Sequence, residues 1–126
     1  MDERYRNIFA RHLLSIRELS ECEIPKSAII VRDSIQVGSG FSKKTNTEFD
    51  TSPIYDAMRH YYIIRDIVYN QPALFCSYFP NLGEFLALYS SDIRTVYYMG
   101  DITDEAAVRF LNNCLEPFEI IKLEVQ

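Results

Sequence analysis

The sequence predicts a three-layer α/β domain around a five-stranded sheet, and three observations carry that reading. After an opening hairpin, short apolar runs alternate with helical patterns, giving the order α-β-β-α-β-α-β-α-β with the later strands parallel. The stretch from Leu74 to Leu88 reads as a buried strand running straight into a helix, with Phe79-Pro80 as the hinge. Finally, 126 residues at 48% hydrophobic content make one domain of ordinary size, able to bury a core without disulfides or a metal.

The elements follow in order. From Asp2 to Ser20, apolar residues at Tyr5, Ile8, Phe9, Leu13, Ile16 and Leu19 recur at helical spacing, so residues 1–20 should form a helix packed on the domain. Glu21 to Pro25 breaks it. Ser27 to Val31 and Ile35 to Phe41 are strands joined by a tight turn at Asp33-Ser34. The polar segment from Ser42 to Thr51 lacks periodicity and reads as a loop. Ser52-Pro53 then opens a helix, serine as N-cap and proline at the first helical position. That helix is apolar nearly all round as far as Tyr69, which implies burial on most faces, within the domain or against another chain. A strand from Ala73 to Phe79 leads to a helix from Asn81 to Ser90. Another strand from Ile93 to Tyr98 precedes a helix capped by Thr103, and Phe118 to Val125 forms the last strand.

Charge and cysteine content narrow the function. A net charge of −5 disfavours independent nucleic-acid binding, because phosphate neutralisation dominates such affinity and the only short basic cluster is Lys43-Lys44. The three scattered cysteines (Cys22, Cys76, Cys114) argue for a reducing compartment and against a disulfide framework. Without a signal peptide, transit peptide or membrane span, the expectation is an intracellular protein of the cytoplasm, the nucleus or both. His12 and His60 stand among packing residues with no ligand partner at metal spacing. Cys76 lies mid-strand as a small hydrophobe, and Asp101, Asp104 and Glu105 complement a helix dipole.

The residues after the hinge carry a resemblance. Glu84-Phe85-Leu86-Ala87-Leu88-Tyr89-Ser90-Ser91-Asp92-Ile93-Arg94-Thr95-Val96-Tyr97-Tyr98 resembles the Cys-Ala-Met-Ala-Leu-x-His-Ser-Arg-Ile-x-Arg-Val-x-Tyr of the cytidine deaminase superfamily. Ala87, Leu88, Ser91, Ile93, Val96 and Tyr98 stand in register, with Arg94 one place from its usual position. The likeness runs from Ser27 to the end of the chain. Ser52-Pro53-Ile54, with Ala57 and Met58 beyond it, is similar to the non-catalytic subunit of the eukaryotic heterodimeric tRNA adenosine deaminase, which edits the wobble adenosine to inosine.

That resemblance implies a three-layer α/β/α cytidine-deaminase-like fold with a five-stranded mixed sheet. It also shows where this chain departs from the family. The zinc-ligand positions read Ser52, Asn81 and Glu84, and the proton-shuttling glutamate falls on Ile54, an aliphatic residue that moves no protons. No zinc is expected in this chain and no catalytic residue is assigned; the zinc belongs to the partner. On local grounds Asn81 and Glu84 form a helix-capping pair.

Tyr55, Arg59, Tyr62, Phe85 and Tyr89, on the two helices flanking the degenerate pocket, are candidates for the partner interface, since tyrosine and arginine are enriched at interfaces. The resemblance thus implies a pseudoenzyme subunit. It would pair with a catalytic deaminase subunit as a heterodimer and reach tRNA only through that complex, away from any membrane. The alternative is a free-standing homodimeric pseudo-deaminase that binds a nucleotide or a protein. An active enzyme with new chemistry at Glu84 has too little machinery, one carboxylate without a base, nucleophile or metal.

Overall fold

The computed structural model describes residues 3–45, 49–63 and 72–124, with backbone alone at 62–63. Its elements are α1 (Glu3–Arg17), β1 (Ser27–Arg32), β2 (Ile35–Phe41), α2 (Pro53–Ile63), β3 (Ala73–Cys76), α3 (Leu82–Tyr89), β4 (Thr95–Tyr98), α4 (Glu105–Asn113) and β5 (Glu119–Lys122). The five strands lie in the order β2-β1-β3-β4-β5. β1 is antiparallel to both neighbours, whereas β3, β4 and β5 run parallel through the α3 and α4 crossovers. The predicted mixed sheet and element order are both present.

Strand periodicity divides the core in two. Ile29, Val31, Phe75 and Tyr97 face α1, whose buried residues are Phe9, Ala10 and Leu13. The Phe9 and Phe75 rings meet with centroids 5.6 Å apart, and the Ser27 hydroxyl donates to the Leu13 carbonyl at 2.7 Å. The alternating residues Ala28, Ile30, Leu74, Cys76, Val96 and Tyr98 face the opposite layer, formed by α2, α3 and α4. The buried stripe of α1 is narrower than its apolar spacing suggested, since Tyr5 and Ile8 stay exposed and Leu19 falls beyond the end of the helix.

At the hairpin, Asp33 and Ser34 have φ of 53° and 64°, the paired positive values that a two-residue type I′ turn requires. Along β2 two glycines set the position of α2. A Cβ on Gly38 would lie 2.5 Å from the Ala57 carbonyl oxygen, and one on Gly40 only 2.4 Å from that of Pro53. Helix α2 therefore lies directly on β2, which fixes the place of its first residues beside the sheet. Ile54, Ala57, Met58 and Tyr61 are its buried face, while Tyr55, Arg59 and His60 face outward. The helix is thus two-sided where it is described, not apolar all round; residues 64–71, over which the pattern continues, lie outside the described residues.

Several boundaries moved. The cap of α4 is Asp104, one residue beyond Thr103, because its carboxylate accepts the Ala107 N–H at 3.1 Å. The strands β3, β4 and β5 are four residues each, shorter than their apolar runs; Tyr78, Phe79, Ile93 and Phe118 pack against the core from the connections instead. Among the described residues no helix is long and apolar enough to cross a membrane.

Candidate functional site

Three positions 52, 81 and 84 that the sequence separates by up to 32 residues are brought together at the N-termini of α2 and α3. Ser52 is the N-cap of α2: its hydroxyl oxygen accepts the Tyr55 N–H at 3.2 Å. The same hydroxyl donates to Glu84 Oε2 at 2.6 Å. Asn81 caps α3, with Oδ1 accepting the Glu84 N–H at 2.8 Å, and Glu84 Oε1 returns the bond by accepting the Asn81 N–H at 3.0 Å. This is a full capping box. It explains the Asn-x-x-Glu spacing after Pro80 without any ligand.

A fourth group completes the cluster. The Tyr78 hydroxyl also donates to Glu84 Oε2, so one carboxylate oxygen takes two hydroxyl hydrogens. Sequence reasoning had no role for Tyr78; its only signal was its place two residues before the hinge proline. Glu84 is 3% exposed and lies in no ion pair among the described residues. Its charge rests on hydrogen bonds and on the positive ends of two helices. The neighbours register that charge. Burial first, and the Glu84 carboxylate second, push the Tyr78 phenol and the Cys76 thiol well above their ordinary ranges. Tyr55 is raised by the same two causes in the same order. Tyr78 and Cys76 are therefore held protonated, and Cys76 is a hydrogen-bonded core thiol rather than a nucleophile, with Sγ donating to the Tyr97 carbonyl at 3.4 Å.

Beside this cluster opens a cleft of about 390 Å³, lined in part by Ser52, Tyr78, Asn81 and Glu84. Ile54 is not part of it. Its side chain is fully buried among the core residues under α2. The donor set at the converging positions is a hydroxyl, an amide and one carboxylate that already accepts three hydrogen bonds. Zinc sites are built from imidazole nitrogen and thiolate sulfur, and this set does not match them. Among the described residues no group of three histidine, cysteine or carboxylate side chains stands together as a metal centre would need.

Comparison with known proteins bears on the fold. No protein-family model matches the chain, and no curated protein sequence matches it. Solved structures do. The dCMP deaminase from the cyanophage S-TIM5 superposes with a TM-score of 0.79 at 16% identity, over 98% of this chain and 100% of the other. A diaminohydroxyphosphoribosylaminopyrimidine deaminase/5-amino-6-(5-phosphoribosylamino)uracil reductase from Thermotoga maritima gives 0.71 at 13% identity, over 94% of this chain and 36% of that one. A structure from a study of A-to-I editing by tRNA:A34 deaminases at the wobble position gives 0.59 at 15% identity, over 95% of both chains. The chain has the cytidine deaminase fold.

Within that fold, the candidate interface residues separate. Tyr55 is 48% exposed and lies over Gly83 at the start of α3. Arg59 is exposed and pairs with Asp56 at 2.6 Å on its own helix. Phe85, in contrast, is fully buried, its ring 5.4 Å from Phe79 and 5.6 Å from Phe118 between centroids, so it belongs to the core and presents nothing to a partner. Tyr89 is half-buried, edge-on to Phe110, with the Arg94 guanidinium 4.7 Å over its ring. That guanidinium also donates to the last carbonyls of α3, including those of Leu88 and Tyr89, so Tyr89 serves the end of the helix. The Tyr62 side chain lies outside the described residues.

Asp104 ties the next helix to the site. One oxygen accepts the Leu82 N–H at 2.9 Å, at the start of α3, while the other caps α4. These backbone bonds, Leu82 first and then Ala107, hold its carboxyl below the usual range.

Proposed function

We propose that this chain is a catalytically inactive deaminase-fold subunit. It pairs with a catalytic, zinc-bearing deaminase subunit that converts adenosine to inosine at the tRNA wobble position. The observation that carries the reading is a hydrogen-bonded cluster at the positions that the family resemblance assigns to zinc and its proton shuttle: Ser52, Asn81 and Glu84 cap two helices and bond to one another, and Ile54 is a core residue. The Tyr78 and Ser52 hydroxyls both give their hydrogens to Glu84, so neither is poised to activate water. The chain itself holds no zinc, and its contribution is a scaffold whose outward residues Tyr55 and Arg59 meet the partner. Contact with tRNA comes through the complex, as the acidic balance of the chain suggests.

The 390 Å³ cleft favours a second reading, a free-standing homodimer that binds a small ligand or a protein. Native mass spectrometry of the protein isolated from its own cells separates the two. The subunit reading expects a one-to-one complex with a second deaminase-fold chain and zinc only in that chain. A homodimer or monomer alone would overturn it.

A further inference from the structure

Helix α3 turns toward solvent a side that carries no charge. Its one charged residue, Glu84, is buried. Gly83, Leu86, Ala87 and Ser90 are spaced to lie along one side, and all are exposed or half-exposed there, Leu86 at 49%. A helix side that faces water is ordinarily polar. The surface continues onto α2. The Tyr55 hydroxyl lies 3.2 Å from the place a Gly83 Cβ would take, so this half-exposed tyrosine reaches across to α3 where glycine leaves room. One edge of the surface is cationic, in a chain whose net charge is −5. Lys43 Nζ and the Arg59 guanidinium both meet Asp56, at 3.0 and 2.6 Å, so one carboxylate holds two cations in place and leaves a positive charge over. The two cationic side chains are 48% and 69% exposed, and they line one groove with Tyr55.

We infer that a second protein chain docks on this surface, laying an apolar segment over Tyr55 and Leu86 and setting a carboxylate between Lys43 and Arg59. The inference rests on the subunit reading and gives the partner's contact surface its chemistry. Ammonium and guanidinium groups donate hydrogen bonds and accept none, so what complements this edge is an anionic acceptor. An RNA backbone would call for a row of cations, because each phosphate neutralised adds to its affinity. Two cations at one edge of an uncharged centre make a different pattern. It is that of a protein interface, an apolar core with a polar rim in which tyrosine and arginine are enriched.

The test starts from the one-to-one complex isolated from the protein's own cells. Its second chain is purified and titrated with the full chain and its variants by interferometry. Leu86→Ser, at an exposed position outside both core clusters, should weaken binding about tenfold or more and leave the melting temperature unchanged. Lys43→Ala combined with Arg59→Ala should weaken it about threefold or more and flatten its dependence on salt. In the wild-type complex, a water-soluble carbodiimide, which joins an amine to a carboxylate already in contact, should couple Lys43 to an aspartate or glutamate of the partner. A complex indifferent to Leu86→Ser, or one in which Lys43 couples to no carboxylate of the partner, overturns the inference and leaves the subunit reading standing. Loss of the complex on ribonuclease treatment does the same, since RNA would then be the bridge. Recovery of this chain alone, as a monomer or with Lys43 coupled to a second copy, overturns both.

Discussion

The Ser52 hydroxyl meets the Glu84 carboxylate at 2.6 Å and so joins the N-terminus of α2 to that of α3. Each residue also serves its own helix, Ser52 as N-cap and Glu84 as the third residue of a capping box. The pair therefore acts as a clamp between two helices rather than as two independent caps. Ser52→Ala should cost about 2 kcal/mol, the sum of a lost cap and a lost bond to a charged group. In a double-mutant cycle with Glu84→Gln, urea unfolding should show a coupling of about 1 kcal/mol or more. Additive losses would mean that the two helices are capped separately.

Tyr78 predicts an alkaline limit. Burial, and then the Glu84 charge, raise its phenol above the ordinary value of 10.0. A group whose folded pKa is raised contributes stability that is complete below its unfolded pKa and is lost as pH rises from there toward the folded value. Wild-type stability should begin to fall at about pH 9, where the buried Cys76 thiol starts to count against the folded state, and fall more steeply beyond about pH 10 as Tyr78 joins it. Tyr78→Phe should be less stable at pH 7, having lost a hydrogen bond to Glu84, yet decline less steeply above pH 10. Parallel declines in the two proteins would exclude this phenol as the cause.

Asp104 sets the opposite limit. Its carboxyl is held below 3.8 by the Leu82 and Ala107 N–H groups. A depressed folded pKa contributes stability that is present above the unfolded pKa and lost as pH falls through the folded one. Asp104→Asn should therefore lower the melting temperature at pH 7, and the gap from wild type should close as pH falls below about 4. A gap unchanged with pH would show that the amide caps both helices as well as the carboxylate does.

Much of this was legible in the residues. Alternating strands and helices, the turn at Asp33-Ser34 and the caps at Ser52 and Asn81 are local signals, and local physics decides them. The convergence of Ser52 with Glu84 was legible only through the family resemblance, because no periodicity reports a contact over 32 residues. Phe85 was misread for a related reason. An aromatic on a helix looks the same whether it turns to the core or to a partner until the neighbouring Phe79 and Phe118 rings are seen around it. Tyr78 stayed invisible because its bond to Glu84 runs across the hinge between strand and helix, where no periodicity reports a contact.

Restoring the metal site tests the register on which the proposed function stands. The triple variant Ser52→His, Asn81→Cys, Glu84→Cys places an imidazole and two thiolates where the hydroxyl, amide and carboxylate now converge. Without metal it should be less stable than wild type, since both the capping box and the bond between helices are gone. Added zinc should raise its melting temperature in proportion to the free ion, because a ligand bound only to the folded state adds stability by mass action. The wild type should show no such response. Uptake in the variant should still leave it without deaminase activity, because Ile54, buried in the core, supplies no proton shuttle. A folded variant that ignores zinc would mean that these three side chains meet for helix capping alone, and that the likeness to a metal site ends with the fold.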